Sequence, residues 1–180
     1  MPSVKWGAIT AIGEVVGLMA DEDLESARNI IRRLMWNLND ESGGIGWGSP
    51  EAMAEILFRN KTLATEYHHM LLSYINEEGN FQESELMQRG VLWGIGRIAG
   101  KYPELVKKSA ADIIKFLDSD DPAVRAYSAR LAGLLGLQEA RFRLESLLND
   151  EHEIQVFIDS KLINCRVKNV VSEAIERLIN

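Results

Sequence analysis

The sequence predicts an all-α superhelix, a stack of antiparallel helix pairs with one small β-hairpin near its C-terminal end. Three observations predict it. The chain repeats itself at spacings of one helix pair. The segments between the copies carry helical apolar periodicity, and residues that start helices recur at matching places.

The repetition is seen by superposing the chain on itself. VKWGAITAIGEVV, from Val4, lies over IGWGSPEAMAEIL, from Ile45, so that Trp6 meets Trp47, Gly7 meets Gly48, Ala11 meets Ala52 and Glu14 meets Glu55. Further copies begin at Met87 (MQRGVLWGIGRIA), at Val124 (VRAYSARLAGLLG) and, in degenerate form, at Val167 (VKNVVSEAIERLI). Successive starts are 41, 42, 37 and 43 residues apart, the length of a two-helix repeat. The copies mark the second helix of each pair, expected near 4–17, 49–59, 86–100, 122–136 and 166–179, in a single domain over 1–180.

The partner helices lie between the copies. From Glu22 to Leu38, apolar residues fall at Leu24, Ala27, Ile31, Leu34, Met35 and Leu38, a helical period. Asn60–Ile75 and Pro103–Asp118 read the same way. Ser49-Pro50-Glu51 starts a helix, with Ser49 as N-cap, Pro50 in the first turn and Glu51 favoured by the helix dipole. Asp120 or Asp121 before Pro122 does the same.

Two stretches break the pattern. ESGGIGWGSPEA, residues 41–52, has four glycines from Gly43 to Gly48. A phosphate-cradling loop needs a strand before the glycines and Lys-Ser or Lys-Thr after them; here a helix precedes and no lysine follows. The loop is expected to join the two helices of the second repeat by a tight turn through positive φ. In Glu153 to Val167, Ile154, Val156 and Ile158 alternate with Gln155 and Phe157, and a return run follows Asp159-Ser160-Lys161. This predicts a hairpin near 153–166, in place of a tight turn, that caps the end of the stack.

Composition narrows the function. At 180 residues, with 46% apolar and 26% charged residues, the chain has the make-up of one globular domain. Its net charge of −7 argues against a protein that grips nucleic acid through phosphate neutralisation. A single cysteine, Cys165, excludes an intrachain disulfide and suits a reducing compartment, so a cytoplasmic protein is expected. Glu14 interrupts the apolar run Trp6–Ala20, so that run reads as a structural helix, and no run is expected to reach the roughly 18 to 20 residues of a bilayer span.

Asp120 to Asp150 (DDPAVRAYSARLAGLLGLQEARFRLESLLND) resembles a HEAT repeat of the bilin-lyase-like subclass. In that subclass an Asp-Pro turn precedes Val-Arg, a small-residue helix ends near Gly and a second helix ends in a leucine pair. The other copies match more loosely, and Arg32 to Leu57 resembles a group of bacterial HEAT-repeat proteins without an assigned role. The resemblance implies a HEAT/armadillo-like α-solenoid and leaves function open. It also implies that the second helices line a concave surface. The first copy has only Met1 to Ser3 before it, so the expectation is that the chain is a shortened form, or that its first helix rests on something else, such as a second copy in a homodimer.

On a helical wheel, Val124, Ser128, Leu131, Ala132 and Leu135 share the core face of the fourth copy. The same register gives Val4, Ala8, Ala11, Ile12 and Val15 in the first copy and Met87, Val91, Gly94, Ile95 and Ile98 in the third. Opposite lie Trp6 with Thr10, Trp47 with Glu51, Arg89 with Trp93, and Ala126 with Arg130. Three of the four tryptophans are thereby predicted to form an exposed stripe, and Trp36 to pack in the core or between repeats. Trp and Arg dominate interface energetics. The expected partner-binding residues are therefore Trp6, Trp47 and Trp93 as anchors, with Glu51, Arg89 and Arg130 setting register.

Other signals are weaker. His68 and His69 diverge by about 100° on a helix and cannot share one metal ion, and His152 is distant, so no metal is expected. Cys165 and His152 read as strand and loop residues, not as nucleophile and base. Asp118, Asp120 and Asp121 lack the regular oxygen spacing of a calcium loop. Lys5, Arg125 and Lys168, with Gln88 between them, occupy equivalent positions and predict a ladder of bonds to neighbouring turns. Arg28, Arg32 and Arg33 read as a solvated face.

The expectation is a non-enzymatic interaction or scaffold module, without catalytic residues or cofactor, holding an unidentified protein partner along the concave face. Two alternatives follow from the resemblance. Some HEAT-like folds are alkylpurine DNA glycosylases with a basic groove, aromatic rings and a carboxylate, parts that Trp47, Glu51 and Trp93 would take. The bilin-lyase-like subclass suggests chromophore handling, for which the chain shows no dedicated set. A third alternative is a structural subunit of an oligomer.

Overall fold

The computed structural model describes residues 2–39, 46–158 and 160–179. Its helices are α1 (Pro2–Glu22), α2 (Leu24–Asn39), α3 (Ser49–Arg59), α4 (Lys61–Ser73), α5 (Glu85–Ala99), α6 (Pro103–Val106), α7 (Ala110–Lys115), α8 (Pro122–Leu135), α9 (Arg141–Ser146) and α10 (Val167–Ile179). Strands β1 (Glu153–Ile158) and β2 (Lys161–Arg166) form an antiparallel hairpin, paired from Glu153 with Arg166 to Ile158 with Lys161. Asp159 and residues 40–45, on which most of the expected glycine turn falls, lie outside the described residues.

The repeated segments form one layer. α1, α3, α5, α8 and α10 pack side by side in chain order, and α2, α4, α6 with α7, and α9 cover their other side. The core runs continuously between the layers through Ile31, Met53, Leu57, Leu71, Ile95 and Leu131, each fully buried. Burying such side chains stabilises the fold by about 1.5–3 kcal/mol apiece. Small residues set how closely layer neighbours approach: a Cβ on Gly133 of α8 would lie 2.7 Å from the Ala174 Cα of α10, so these two backbones touch.

Four expectations need correction. The partner segment Pro103–Asp118 is not one helix: 3₁₀ turns at Lys107–Ser109 and Phe116–Asp118 flank α7. Along this broken segment Val106, Ile113, Phe116 and Leu117 are buried while Lys107, Lys108 and Lys115 are exposed. Trp36 is not core, being 75% exposed on α2. The wheel face assigned to the core of the first copy is largely open, with Val4 and Val15 exposed, because among the described residues no helix covers that side of α1; Ile9, Val16 and Ala20 are buried instead. Finally, Ser3–Glu22 has the length and composition of a bilayer-crossing helix, contrary to expectation, although Lys5 and Glu14 on it are paired to Glu51 and Arg59.

Candidate functional site

The helix starts position the site. Gly48 takes a left-handed conformation (φ 89°) and caps α3, so Ser49 is the first helical residue, one place later than the cap role expected of it. Trp47 stands in the turn just before, 66% exposed. At α8 the cap is Asp121, whose Oδ1 accepts from the Ala123 and Val124 N–H groups at 2.9 Å. Arg89 of α5 reaches across and donates to both oxygens of the same carboxylate. Burial alone would raise the Asp121 carboxyl, but Arg89 and the two backbone N–H groups outweigh it and hold it below the usual carboxylate range.

Inter-helix ion pairs continue this pattern. Lys5 Nζ of α1 donates to Glu51 Oε1 of α3 at 2.6 Å. Arg97 of α5 donates twice to Glu55 of α3, at 2.6 and 3.0 Å, and Arg59 reaches both Glu55 and Glu14. Arg125 bonds the Ser119 and Asp120 carbonyls and the Asp150 carboxylate, and Lys168 bonds Glu151. Arg28 also joins two elements, α2 and α4, through Glu66. Glu51 is 4% exposed, and its Oε2 has no partner among the described residues. It fits between α1 and α5 because position 90 is glycine: a Cβ there would stand 2.7 Å from Oε2.

The hairpin covers part of the inner face, meaning the side of the α1, α3, α5, α8 and α10 layer away from the partner helices. It does not cap the end of the stack as expected. It lies against α8, and Phe157 reaches α1 and α5, stacking on Trp6 with ring centroids 4.2 Å apart and planes 9° from parallel. Trp6 and Trp93 meet at 4.8 Å. Trp93 Nε1 donates to the Phe157 carbonyl at 2.6 Å, and the Phe157 N–H donates to the Tyr127 hydroxyl at 3.4 Å. Burial pushes the Tyr127 phenol up to about 12, so it stays a neutral hydroxyl at physiological pH. One extended strand is thus held by ring stacking on its side chain and by side-chain bonds to both polar groups of its backbone.

At the hairpin tip a cavity of about 370 Å³ opens between Ile158 and Ser160 and the helices, lined also by Phe58, Tyr127 and Leu134 and by Glu55, Arg59, Arg97, Arg130 and Arg177. The Arg97 guanidinium sits 3.5 Å from the centre of the Phe58 ring.

The predicted site residues divide. Trp6 and Trp93 come together, but under Phe157, with Trp93 only 9% exposed, so the expected open stripe is not there. Trp47 is exposed at the α3 turn, Glu51 is buried, Arg89 is bound to Asp121, and Arg130 lines the cavity. Phe157, Tyr127, Arg97 and Arg177 were not predicted. Phe157 had a signal, an aromatic on the face of the strand opposite Ile154 and Val156; the arginines come from separate repeats and had none. His68 Nδ1 faces its own helix, 2.9 Å from the Ala64 carbonyl. His152 lies against Asp150, and burial first, then Glu173, pushes the Cys165 thiol up.

No family model matches the chain. An uncharacterised protein of Archaeoglobus fulgidus is 27% identical over 157 residues, 84% of this chain and 80% of the relative. Among solved structures, a designed armadillo repeat protein in complex with the peptide (KR)4 superposes with a TM-score of 0.64, covering 96% of this chain and 74% of that one at 16% identity. The fold is an armadillo-like helical solenoid. A second engineered protein matches at a TM-score of 0.61 and 16% identity, covering 96% of this chain and 72% of that one. In this armadillo-like solenoid the site described above occupies the layer of second helices, partly covered by the chain's own strand.

Proposed function

We propose that this solenoid is a non-enzymatic protein-interaction module that holds an extended segment of a partner along its inner face. The observation that carries the reading is how β1 is held there. Trp6 and Trp93 receive a side chain while Trp93 Nε1 and the Tyr127 hydroxyl take the backbone carbonyl and N–H. A face that satisfies backbone groups with fixed side chains suits an extended chain, since those groups must be paired once buried. The designed armadillo protein of the same fold is in complex with a peptide, which agrees with this use. The HEAT-type assignment of the repeats remains part of the same reading.

Selection from a displayed random-peptide library tests it. Enriched peptides should bind wild type and lose binding to a Trp93→Ala/Arg130→Ala variant of unchanged helicity. No enrichment, or equal binding to both proteins, would remove the inner face as the site. A DNA-glycosylase-like use is less well supported: the arginines converge on one cavity, whereas a duplex needs phosphate contacts along its length.

A second reading has its own observation. Val4, Val15 and Leu18 are exposed and fall on one side of α1, an apolar strip that would be covered in a structural subunit of an oligomer. Sedimentation analysis of wild type beside Val15→Glu/Leu18→Glu tests this; a monomer at every concentration would sink it.

A further inference from the structure

Resting on the proposal that the inner face holds a partner segment, we infer that the hairpin tip is a resident ligand of that face. A partner binds by displacing the tip and setting an aromatic side chain of its own on Trp6 and Trp93. The groups that fit the face to an extended chain are all in use. Trp93 Nε1 donates to the Phe157 carbonyl, the Tyr127 hydroxyl accepts from the Phe157 N–H, and the Phe157 ring lies on Trp6. A partner seated by the same groups has to replace this residue and cannot lie beside it.

The seat fits a flat ring. The Phe157 ring lies 4.2 Å from that of Trp6 and 9° from parallel to it, while the Trp93 ring stands 6.2 Å away at a tilt of 43°. One indole is a floor and the other a side wall. Stacked and tilted aromatic pairs gain from their geometry beyond the area they bury, a gain that an aliphatic side chain forgoes. Both backbone bonds fall on the residue that carries the ring. The recognised unit is therefore one aromatic residue in an extended chain.

The hairpin is pinned at its base and lightly held at its tip. At the base, the Val167 N–H donates to the His152 carbonyl at 3.1 Å and the Lys168 N–H to the Asp150 carbonyl at 3.0 Å, and Ile154, Val156 and Val167 are buried. Towards the tip, Phe157 and Ile158 are half-buried, and Ser160, Lys161, Leu162 and Ile163 are exposed. Two strands alone have little stability in water, so the contacts of Phe157 with the helices are what seat the tip. The cavity at the tip borders Trp93, Phe157 and Ile158, which gives an incoming segment a side from which to enter. Only molecules with the tip displaced accept the partner, so the resident strand lowers the apparent affinity by the fraction that is open. Removing the tip then tightens binding, whereas it would weaken the hold on a partner that used the hairpin as part of its site.

A variant without the tip tests the inference. Val156 faces Ile163 in the hairpin register as Ile158 faces Lys161 across the turn, so Asn-Gly in place of residues 157–162 closes a shorter hairpin with Ile154 and Val156 kept. The probe is a labelled peptide of the β1 sequence Glu153–Ile158 between Gly-Ser flanks, beside one with alanine in place of its phenylalanine, both read by fluorescence anisotropy. The first peptide should bind the shortened protein about tenfold or more tighter than wild type, and the alanine peptide should bind neither. Phe157→Ala in the full chain should also tighten binding of the first peptide, which guards against misfolding of the shortened hairpin. Adding Trp93→Ala to either variant should abolish binding.

Binding of the first peptide no tighter to either variant than to wild type would overturn the inference, as would equal binding of the two peptides. If library-selected peptides bind wild type and depend on Trp93 while loss of the tip does not tighten them, the inner face is still a binding site and the resident-ligand role falls. If no peptide binds any of these proteins, both fall.

Discussion

Trp6 and Trp93 meet at 4.8 Å although their helices are not neighbours, because both rings reach across α3, which lies between α1 and α5. Phe157 then closes over them from the hairpin. The pair therefore links the first inner helix, the third and the strand before the last, and it reports on whether the strand is seated.

Replacing Phe157 by alanine should unseat it. The expected result is a red-shifted tryptophan emission with greater acrylamide quenching, as Trp93 gains solvent, at unchanged far-ultraviolet circular dichroism. Because Phe157 is only half-buried, the stability cost should be about 1–3 kcal/mol, below that of a fully buried phenylalanine. Emission and quenching identical to wild type would mean the strand does not shield the indoles.

Lys5 and Glu51 should be energetically coupled. Removing the lysine leaves a buried carboxylate without its cation, which costs several kcal/mol at a closed site and about 1–2 kcal/mol here, where Lys5 is 44% exposed. Lys5→Met should lower the urea midpoint, and Lys5→Met/Glu51→Gln should recover most of the loss. A double-mutant cycle with no coupling would place the stability of α3 elsewhere.

Acid should weaken the α5–α8 junction. The folded Asp121 carboxyl lies below its unfolded value, so its contribution is fully present above about pH 4, the unfolded range, and is lost as pH falls through the folded value. Asp150 shifts the same way, burial opposing and His152 and Arg125 prevailing. Asp121→Asn should cost about 1–2 kcal/mol at pH 7 and much less near pH 2, where the wild-type carboxyl is protonated too. A constant gap between the two proteins across that range would contradict the pairing.

Two glycines of the inner layer should respond in opposite directions to alanine. At Gly133 the new Cβ would stand 2.7 Å from the Ala174 Cα, so α8 and α10 must separate, at about 1–3 kcal/mol. At Gly96 it would meet only Leu131, at 3.9 Å, and the better helix propensity of alanine should stabilise by up to about 1 kcal/mol. Thermal melts of the two variants moving the same way would contradict this packing.

The sequence by itself determined the all-α repeat architecture and the presence of the hairpin, because both depend on local periodicity. Val124, Leu131 and Leu135 recur at helical spacing, and Ile154 and Val156 alternate as a strand must. It also marked the residues that start helices, to within one position at Ser49. Only the tertiary structure decided where the hairpin lies, since residues 153–166 carry no record of α1, more than a hundred positions earlier. That placement turned an expected open tryptophan stripe into a covered aromatic pair. The packing of α3, α5, α8 and α10 likewise gathered Arg59, Arg97, Arg130 and Arg177 into one cavity. The physical reason is range: a helical period is written in neighbouring residues, whereas a binding face is written in distances between repeats.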